Sequence, residues 1–370
     1  MKEHILFIID GLPGGGAENV TLRLAAGLSK SDYQISLLSL NTQLDYTLPE
    51  NIHYVVSPDD YRGLLRKLNE INRRAKAMDK VLFELFQQKG KPALVISNLH
   101  KTDRIVVKSK VLKNCNVWHC IHGIFSQSYL SNKSGFSYWI KKEKIKKVYK
   151  NKKVICVSQA VSNDLLHNIG IQPKQIKTIY NPFDFEKIKA QASETNPYHG
   201  LSYILHVGRL HQVKRQDRLI DAFAKANLPC KLIIVGQGST EIEEHLKIKI
   251  HEHGLDDKVI LAGFHSNPHP IINEARAVVI SSDSEGLPTV LIEALICHSP
   301  IVSTDCPGGV REIMTGQLKN YLSKLDADSL AKKIQLAYNT PPQITDELYE
   351  KFEANNIQKQ YIELIEKQNT

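Results

Sequence analysis

Two glutamates, Glu285 and Glu293, are separated by seven residues that begin with Gly286-Leu287-Pro288. The apolar run AVVISS precedes this loop and TVLIEALI follows it, so we expect a strand, a tight loop and a helix with Pro288 at its first position. A helix N-terminus offers free amides and a partial positive charge, which suit a phosphate. Glu293, about one turn further in, could accept hydrogen bonds from vicinal sugar hydroxyls, and Glu285 would face the same ligand. The spacing predicts a nucleotide-sugar site, and the alternative is a surface helix with two solvated acids.

Two cations lie on another strand-to-helix loop, in the stretch HVGRLHQVKRQD. Arg209 directly follows Gly208 at the end of an apolar strand, and Lys214 lies five residues further on. A guanidinium can bind two oxygens of a diphosphate, and an ammonium adds a point charge. Surface cations are usually only solvated, but this pair falls in the same half of the chain as the two glutamates. We therefore predict that it binds the diphosphate of the same ligand.

Two weaker signals also lie at the ends of strands, where open α/β sheets bind ligands. His122 emerges from the strand VWHCI into a loop and could donate a hydrogen bond to a sugar hydroxyl, although a lone histidine is more often a packed residue. The turn Gly263-Phe264-His265 follows the strand VILAG and could hold a nucleobase through its backbone.

A glycine-rich loop follows the first strand, where Gly14, Gly15 and Gly16 would let the backbone approach a ligand closely and would begin a helix with free amides. A dinucleotide-binding fold would also need an acid at the end of the second strand. That strand ends in Leu40-Asn41 instead, so an NAD site is disfavoured. A tight turn without any ligand is the alternative.

Metal-binding patterns are weak in this chain. A pair such as Asp326-Ala-Asp328 can carry Mg²⁺, because hard cations prefer carboxylate oxygens. This pair precedes the helical stretch SLAKKIQLAY, so capping of that helix by Asp326 explains it better. The six cysteines contain no CxxC pair, and we expect reduced structural thiols without zinc or disulfides.

The elements that must position these residues alternate along the chain as apolar strands and helical segments, which is typical of parallel α/β architecture. In the first half the strand candidates are ILFIID, QISLLSL, ALVIS, VWHCI and VICVS, and the helix candidates are NVTLRLAAGL and residues 61–88. We interpret the polar residues 181–200, which contain two prolines, as a linker. The pattern then restarts with the strand candidates YILHVG, KLIIVG, VILAG, AVVISS and PIVST.

This organisation predicts two doubly wound domains, residues 1–185 and residues 186–345. An amphipathic helix within residues 346–370 is expected to return to the first domain. A chain of 370 residues is long enough for two domains with substantial cores.

The net charge of +9 is unevenly distributed. Residues 1–185 carry 28 Lys and Arg against 15 Asp and Glu, a net of +13, whereas residues 186–370 carry 20 against 24, a net of −4. The densest basic run follows Phe136, Tyr138 and Trp139 and includes Lys141, Lys142, Lys146 and Lys147. Rings beside lysines suit an anionic membrane surface, at about 1 kcal/mol per cation, and a solvated helix face is the alternative. No nucleic-acid motif occurs, so we expect no nucleic-acid partner.

No apolar run approaches the roughly 20 residues that span a bilayer. The N-terminal ILFII is short and ends in Asp10-Gly11, so it is interpreted as a buried strand rather than a signal peptide. We therefore expect a cytoplasmic protein that is peripheral at the inner face of the cytoplasmic membrane.

Together the motifs resemble those of the retaining glycosyltransferases of family 4, which have the GT-B fold and build bacterial lipopolysaccharide, capsule and other surface glycans. The resemblance rests on Gly208-Arg209 with Lys214, on Glu285 and Glu293, on His122-Gly123, and on the glycine-rich loop that ends in Ala17-Glu18. Leu287-Pro288 stands where many members have Phe-Gly. The Leu-Pro version is similar to enzymes that use galactose or N-acetylgalactosamine donors.

The resemblance implies two Rossmann-like domains that face a central cleft. It also implies metal-independent transfer of a hexose or N-acetylhexosamine from a nucleotide sugar, UDP-linked on family grounds, to a lipid-linked or lipopolysaccharide-type glycan. No cofactor is expected. The resemblance implies that Arg209 and Lys214 neutralise the leaving diphosphate, with assistance from the amides near Leu291 and Ile292. Glu293 would bind the ribose, and Glu285, with Gly286 and Leu287, would bind the donor sugar. His122 would orient that sugar.

Two rival functions share this architecture. A nucleotide-sugar 2-epimerase needs no acceptor and should lack a surface rich in lysines and aromatic rings. A noncatalytic nucleotide- or glycan-binding scaffold would be favoured by loss of Arg209, Lys214 or Glu293, and all three residues are present.

Overall fold

The computed structural model describes residues 2–13, 15–31, 33–59, 61 and 69–365. These residues form two units, one that contains the chain up to Pro182 together with the segment from Ala354 onward, and one that spans Phe183–Glu353. The chain therefore changes unit after Pro182, three residues before the boundary predicted at 185, and after Glu353, eight residues beyond the boundary predicted at 345. Each unit is built on its own parallel sheet, which confirms the predicted class of two Rossmann-like α/β domains.

The first unit contains a seven-stranded sheet. Its strands are β1 (Glu3–Ile9), β2 (Tyr33–Ser39), β3 (Ile52–Val56), β4 (Leu94–Asn98), β5 (Val117–Ile121), β6 (Lys153–Cys156) and β7 (Gln175–Thr178). Their spatial order is β3-β2-β1-β4-β5-β6-β7, with parallel pairing throughout. The sequence pattern missed β3 and β7, because these edge strands are only partly buried and lack a continuous apolar run.

Helices cover this sheet: α1 (Gly16–Ser29), α2 (Glu70–Lys89), α3 (His100–Val106), α4 (Phe125–Ser128), α5 (Gly135–Tyr149) and α6 (Gln159–Asn163). Residues 62–68 of the helix expected over 61–88 lie outside the described residues. Met78 and Leu82 of α2 pack on Leu6 of β1 and Val95 of β4 in one buried apolar cluster. This core fixes the central strands, whose carboxyl ends carry the predicted ligand-facing loops.

The second unit contains a six-stranded parallel sheet. Its strands are β8 (Tyr203–Val207), β9 (Lys231–Val235), β10 (Val259–Gly263), β11 (Ala277–Ile280), β12 (Ile301–Thr304) and β13 (Leu322–Ser323). Their order is β10-β9-β8-β11-β12-β13. After β8 the chain continues to β9 on one side of the sheet, and after β11 it continues to β12 on the other side. A topological switch point therefore lies between the carboxyl ends of β8 and β11. Ligands of open α/β sheets bind at such points.

The helices of this unit are α7 (Phe185–Ala192), α8 (Gln216–Ala226), α9 (Thr240–Glu252), α10 (His269–Asn273), α11 (Thr289–Ile296), α12 (Val310–Ile313) and α13 (Ala327–Asn339). The interpretation of residues 181–200 as a polar linker is wrong for α7. Asp184 caps this helix by accepting a hydrogen bond from the amide of Lys187, and Ile188 is buried.

The C-terminal segment begins with two 3₁₀ turns, Asp346–Leu348 and Glu350–Phe352, and continues as α14 (Ala354–Ile362). The helix expected within residues 346–370 therefore begins only at Ala354, and residues 366–370 lie outside the described residues. In the first unit the hydroxyl of Tyr361 lies 3.8 Å from Cys120 Sγ of β5, and Asn116 donates to the carbonyl of Leu364 over 2.7 Å. These contacts tie the end of the chain to the first sheet.

Candidate active site

The loop after β8 and the loop after β11 are joined at the switch point. Lys214 ends a 3₁₀ turn, and its carbonyl accepts a hydrogen bond from Ser281 Oγ over 2.8 Å. The amide of Asp283 donates to the carbonyl of Val213 over 2.8 Å. The two loops are distant in sequence, and the neighbouring positions of β8 and β11 bring them together.

Lys214 and Glu285 form an ion pair between these loops. Lys214 Nζ lies 2.7 Å from Glu285 Oε1, and Ser282 Oγ donates to the same oxygen over 2.5 Å. Glu285 is only 8% exposed, so the pair is largely shielded from water. Both hydrogen bonds end on Oε1, which leaves Oε2 as a further acceptor, and an ammonium has three donors of which Glu285 uses one. The structure thus places a carboxylate oxygen and cationic N–H donors side by side.

The backbone of Glu285 is fixed by the Pro307-Gly308-Gly309 loop after β12. The amide of Glu285 donates to the carbonyl of Pro307, and the amide of Gly309 donates to the carbonyl of Gly286, each over 3.0 Å. Gly308 has a φ of 130°, and a Cβ there would lie 1.5 Å from the carbonyl oxygen of Glu285. Only glycine permits this close approach.

Glu293 lies on α11 and is 6% exposed. The predicted helix start is wrong by one residue. Pro288 is the N-cap residue rather than the first helical residue, and the amide of Leu291 donates to the carbonyl of Pro288 over 3.1 Å. Helix geometry leaves the amides of Thr289 and Val290 without an intrahelical acceptor. Assistance to the diphosphate from the amides near Leu291 and Ile292 stays a prediction.

Arg209 is exposed, and its backbone is held by a buried hydrogen-bond chain that the sequence interpretation missed. Its carbonyl accepts from Gln216 Nε2 over 3.1 Å, and the same amide nitrogen lies 3.2 Å from His206 Nε2. His206 Nδ1 lies 2.9 Å from the carbonyl of Val279, which can only accept, so Nδ1 carries the proton. Burial lowers the pKa of His206 to about 4 and keeps it neutral.

Arg218 is buried and supports the loop after β11, and the sequence interpretation did not identify it. It donates to the carbonyl of Ser281 over 2.8 Å and pairs with Asp283 over 2.5 Å. Arg215 also pairs with Asp283, over 3.2 Å, from a left-handed backbone conformation. The only signal in the sequence was the density of cations in KRQDR, which does not identify their partners.

Phe264 and His265 follow β10, two strands from β8 at the same edge of the sheet. Phe264 is 65% exposed, and the carbonyl of Gly263 accepts from the amide of Gly236 over 2.7 Å. Contact of this turn with a nucleobase stays a prediction.

In the first unit, Gly15 is the N-cap of α1 and Gly16 is its first residue. Tyr46 donates to the carbonyl of Gly15 over 2.8 Å, and the Glu18 carboxylate fills the space that a Cβ on Gly15 would occupy. Gly14 lies outside the described residues. A ligand-binding role for this loop stays a prediction, since the observed contacts also suit a tight turn.

His122 follows β5 and is half-buried. Its Nε2 lies 3.0 Å from Oδ1 of Asn98, a residue at the end of the neighbouring strand β4 that the sequence interpretation did not identify. Burial lowers the pKa of His122 to about 4, so the ring is neutral. Contact of His122 with a sugar hydroxyl stays a prediction.

The lysine-rich segment forms α5, and two aromatic rings near its N-terminus face solvent. Phe136 and Trp139 are 75% and 57% exposed, and their rings stack with centroids 5.9 Å apart. Lys147 is exposed, Lys146 pairs with Glu143 over 2.7 Å, and the ammonium groups of Lys141 and Lys142 lie over tyrosine rings. Among the helices described, none is long and apolar enough to cross a membrane.

The acidic pair in the second unit has a structural role. Asp326 accepts a hydrogen bond from the amide of Ser329 over 2.7 Å, which confirms the predicted cap of α13, and Asp328 pairs with Lys225 over 2.6 Å.

All six cysteines are free, and burial raises the pKa of Cys120 to about 12. Within the described ranges, no group of three or more His, Cys, Asp or Glu side chains could hold a metal ion.

Two doubly wound parallel units, one with a cationic and acidic site at its switch point, define the GT-B class of glycosyltransferases. Residues 14–187 match Glycosyltransferase Family 4, and residues 187–359 match Glycosyl transferases group 1. The chain therefore belongs to the family 4 type of GT-B glycosyltransferases.

Two Campylobacter jejuni enzymes are among its relatives. The N-acetylgalactosamine-N,N'-diacetylbacillosaminyl-diphospho-undecaprenol 4-alpha-N-acetylgalactosaminyltransferase is 28% identical over 89% of this chain and 88% of its own length. The GalNAc-alpha-(1->4)-GalNAc-alpha-(1->3)-diNAcBac-PP-undecaprenol alpha-1,4-N-acetyl-D-galactosaminyltransferase is 25% identical over 98% of each chain. The crystal structure of Anabaena HepE in complex with UDP and glucose has the same fold, with a TM-score of 0.79, 21% identity and 98% coverage of each chain.

Proposed function

We propose that this glycosyltransferase moves a hexose or N-acetylhexosamine from a UDP-linked donor to a lipid-linked glycan of a bacterial surface, with retention at the anomeric carbon and without a metal ion. The observation that carries the proposal is the pairing of Lys214 with Glu285 at the switch point of the second sheet. This pair offers donors for a diphosphate and an acceptor for a sugar hydroxyl within one hydrogen-bonded unit.

The charges of the site support binding of a diphosphate without a metal. Lys214 and the exposed Arg209 follow β8, and the guanidinium of Arg209 forms no hydrogen bond or ion pair with the described residues. Two cations at about 4 Å from a phosphate contribute about 4 kcal/mol each near a protein surface. In the proposed reaction they stabilise the charge that develops on the leaving phosphate, which is commonly the largest catalytic contribution.

The sugar and ribose would be held by the two buried glutamates. In this proposal Oε2 of Glu285 accepts from a hydroxyl of the donor sugar, and Glu293, one turn inside α11, accepts from the ribose. Retention follows in this proposal from front-face attack, in which the leaving phosphate takes the proton of the attacking hydroxyl. N-acetylgalactosamine is the first donor sugar to test, because both Campylobacter relatives are named as transferases of that sugar.

The acceptor is proposed to be anchored in a membrane. Both relatives are named for glycans carried on undecaprenol diphosphate, which is a membrane lipid. In this chain the exposed Phe136–Trp139 stack and the exposed Lys147 lie on one helix, α5. Aromatic rings and lysines on one helix suit the interface of an anionic bilayer, so we propose that α5 contacts the inner face of the cytoplasmic membrane.

A donor screen tests the nucleotide-sugar site. At 100 times its Kd, a UDP-sugar should stabilise the protein by about 2.7 kcal/mol, which raises the Tm of a domain of this size by about 5–10 °C. Lys214→Ala and Glu293→Ala should abolish that rise. Lys225→Ala is the matched control, because it removes an exposed lysine that pairs only at the surface of the same unit. An unchanged rise in both site variants would show that the site is assigned wrongly.

A transfer assay distinguishes the rival functions. Incubation with UDP-N-acetylgalactosamine and a lipid-linked acceptor should yield an α-linked product by NMR, which establishes retention from an α-linked donor. Epimerisation of the donor without acceptor would favour the epimerase, and donor binding with neither product would favour the noncatalytic scaffold. Full activity after removal of divalent metals with EDTA is expected, and its loss would contradict a metal-independent mechanism.

A further inference from the structure

Asn98 and His122 form a polar pair at the carboxyl edge of the first sheet. Asn98 is the last residue of β4 and is 3% exposed, and His122 follows the adjacent strand β5. His122 Nε2 lies 3.0 Å from Asn98 Oδ1. The amide nitrogen Nδ2 of Asn98 donates in the opposite direction to the carbonyl of Ile96, over 3.4 Å.

These contacts determine which nitrogen of His122 carries the proton. A backbone carbonyl can only accept, so the NH₂ group of Asn98 must face Ile96 and its Oδ1 must face His122. Because Oδ1 also only accepts, Nε2 of His122 must be the protonated nitrogen. In a neutral imidazole the other nitrogen, Nδ1, then has a free lone pair. None of the described residues forms a hydrogen bond with Nδ1. Because Nδ1 is also not one of the buried side-chain atoms without a partner, it is accessible to a ligand.

We propose that Asn98 is a positioning residue, which holds His122 in the Nε2–H tautomer so that Nδ1 accepts a hydrogen bond from a hydroxyl of a sugar substrate. This inference rests on the proposed function, because it needs a sugar in contact with His122. It reverses the direction of the hydrogen bond expected from the sequence, and it adds a residue from a second strand to the site.

The surroundings keep His122 neutral. Burial lowers its pKa to about 4, and the charged group that acts against this is Asp103 of α3. The carboxylate of Asp103 is fully buried and already accepts hydrogen bonds from Ser97 over 2.5 Å and from Tyr149 over 2.8 Å, and it lies 2.8 Å from His119 Nδ1. The negative charge of Asp103 is therefore stabilised by these other donors. Asn98, which contacts His122, is uncharged.

Asn98→Asp tests this role, because it keeps an acceptor for Nε2–H but adds a negative charge beside the ring. An opposite charge within hydrogen-bond distance favours the imidazolium form and raises the pKa of His122. Protonated Nδ1 cannot accept, so transfer should fall as the pH drops through the raised pKa. If that pKa reaches about 7, the neutral fraction, and with it kcat/KM, is about tenfold lower at pH 6 than at pH 8. The wild type should show no such titration, because its His122 stays neutral over this range.

The double variant Asn98→Asp/His122→Gln is the matched control. Glutamine offers an N–H donor and a carbonyl acceptor but cannot be protonated, so the added pH dependence should disappear. A merely structural role of Asn98 would lower stability or activity at every pH and would leave the shape of the profile unchanged. An Asn98→Asp profile that parallels that of the wild type would therefore overturn the proposal.

A measurement without substrate keeps the inference separate from the proposed function. The ¹⁵N chemical shifts of the His122 ring in the full chain, assigned by comparison with His122→Gln, report which nitrogen is protonated at pH 7. The expected result is a protonated Nε2 and an unprotonated Nδ1, and protonation of Nδ1 would overturn the inference even if Asn98→Asp does not fold. If the wild type transfers no sugar from any UDP-sugar, the proposed function fails while the tautomer is still measured.

Discussion

Gly308→Ala should disrupt the proposed donor site indirectly, because Gly308 contacts only the backbone of Glu285. Its φ of 130° is one that alanine rarely adopts, and the added Cβ would lie 1.5 Å from the carbonyl oxygen of Glu285. Real contacts of this kind stay above 3.0 Å, so the loops after β11 and β12 must move apart by at least about 1.5 Å. A movement of that size breaks the hydrogen bonds from the Glu285 amide to Pro307 and from the Gly309 amide to Gly286.

The cost follows from these two losses. Two backbone hydrogen bonds contribute about 0.5–1.5 kcal/mol each, and a strained backbone conformation adds about 1–3 kcal/mol. The free energy of unfolding should therefore fall by about 2–6 kcal/mol, and the Tm should fall by about 4–24 °C for a unit of this size. Displacement of Glu285 also separates it from Lys214, so the rise in Tm with a UDP-sugar should disappear.

Differential scanning fluorimetry with and without UDP-N-acetylgalactosamine measures both effects. Gly316→Ala is the matched control, because Gly316 also has a positive φ, 53°, but a Cβ there meets nothing within 4 Å. This control should lose only about 1–2 kcal/mol from the left-handed backbone and should keep the response to the donor. The reasoning would be refuted by equal losses of Tm in the two variants together with an intact response to the donor in Gly308→Ala.

Two further predictions concern the membrane surface and the response to acid. Trp139→Ser should weaken binding to vesicles of anionic lipid by at least about tenfold in a flotation assay, because an inserted aromatic side chain contributes about 1.5–3 kcal/mol. Phe83→Ser, which removes an equally exposed ring from α2, should have no effect, and equal effects of the two would exclude α5 as the contact. His206 is neutral in the folded state, because its pKa is about 4 instead of the ordinary 6.5. As the pH falls from 6.5 toward 4, the unfolded chain binds a proton at this histidine before the folded protein does. The free energy of unfolding should therefore decrease over this range, by up to about 3 kcal/mol. Denaturant unfolding at pH 7 and pH 5 should show a smaller loss for His206→Gln than for the wild type, and identical losses would show that His206 contributes nothing.

The strands that position the site were predictable because each is buried on both faces. Such strands appear as short continuous apolar runs, and VWHCI matches the observed β5 at both ends. The predictions failed where burial is partial, as in the edge strands β3 and β7. They also failed for α7, where two prolines and several charges concealed a helix.

The types of the site residues were also predictable, but not their partners. Lys214 and Glu285 were expected to bind one ligand, yet their ion pair depends on Ser282 and on the loop that contains Gly308. Gln216 and Asn98 gave no signal, because a single amide side chain has no spacing pattern. Their roles depend on hydrogen-bond direction, which requires coordinates.

The sequence by itself determined the two α/β domains, the alternation of their elements and the residues at the carboxyl ends of the strands. These properties are local, because they depend on the apolar period and on the turn that follows each strand. Only the tertiary structure decided that β8 lies beside β11, which brings Lys214 to Glu285 across 71 positions of the chain. It likewise decided that His122 meets Asn98, because strand order, and not distance along the chain, determines which polar groups meet at the edge of a parallel sheet.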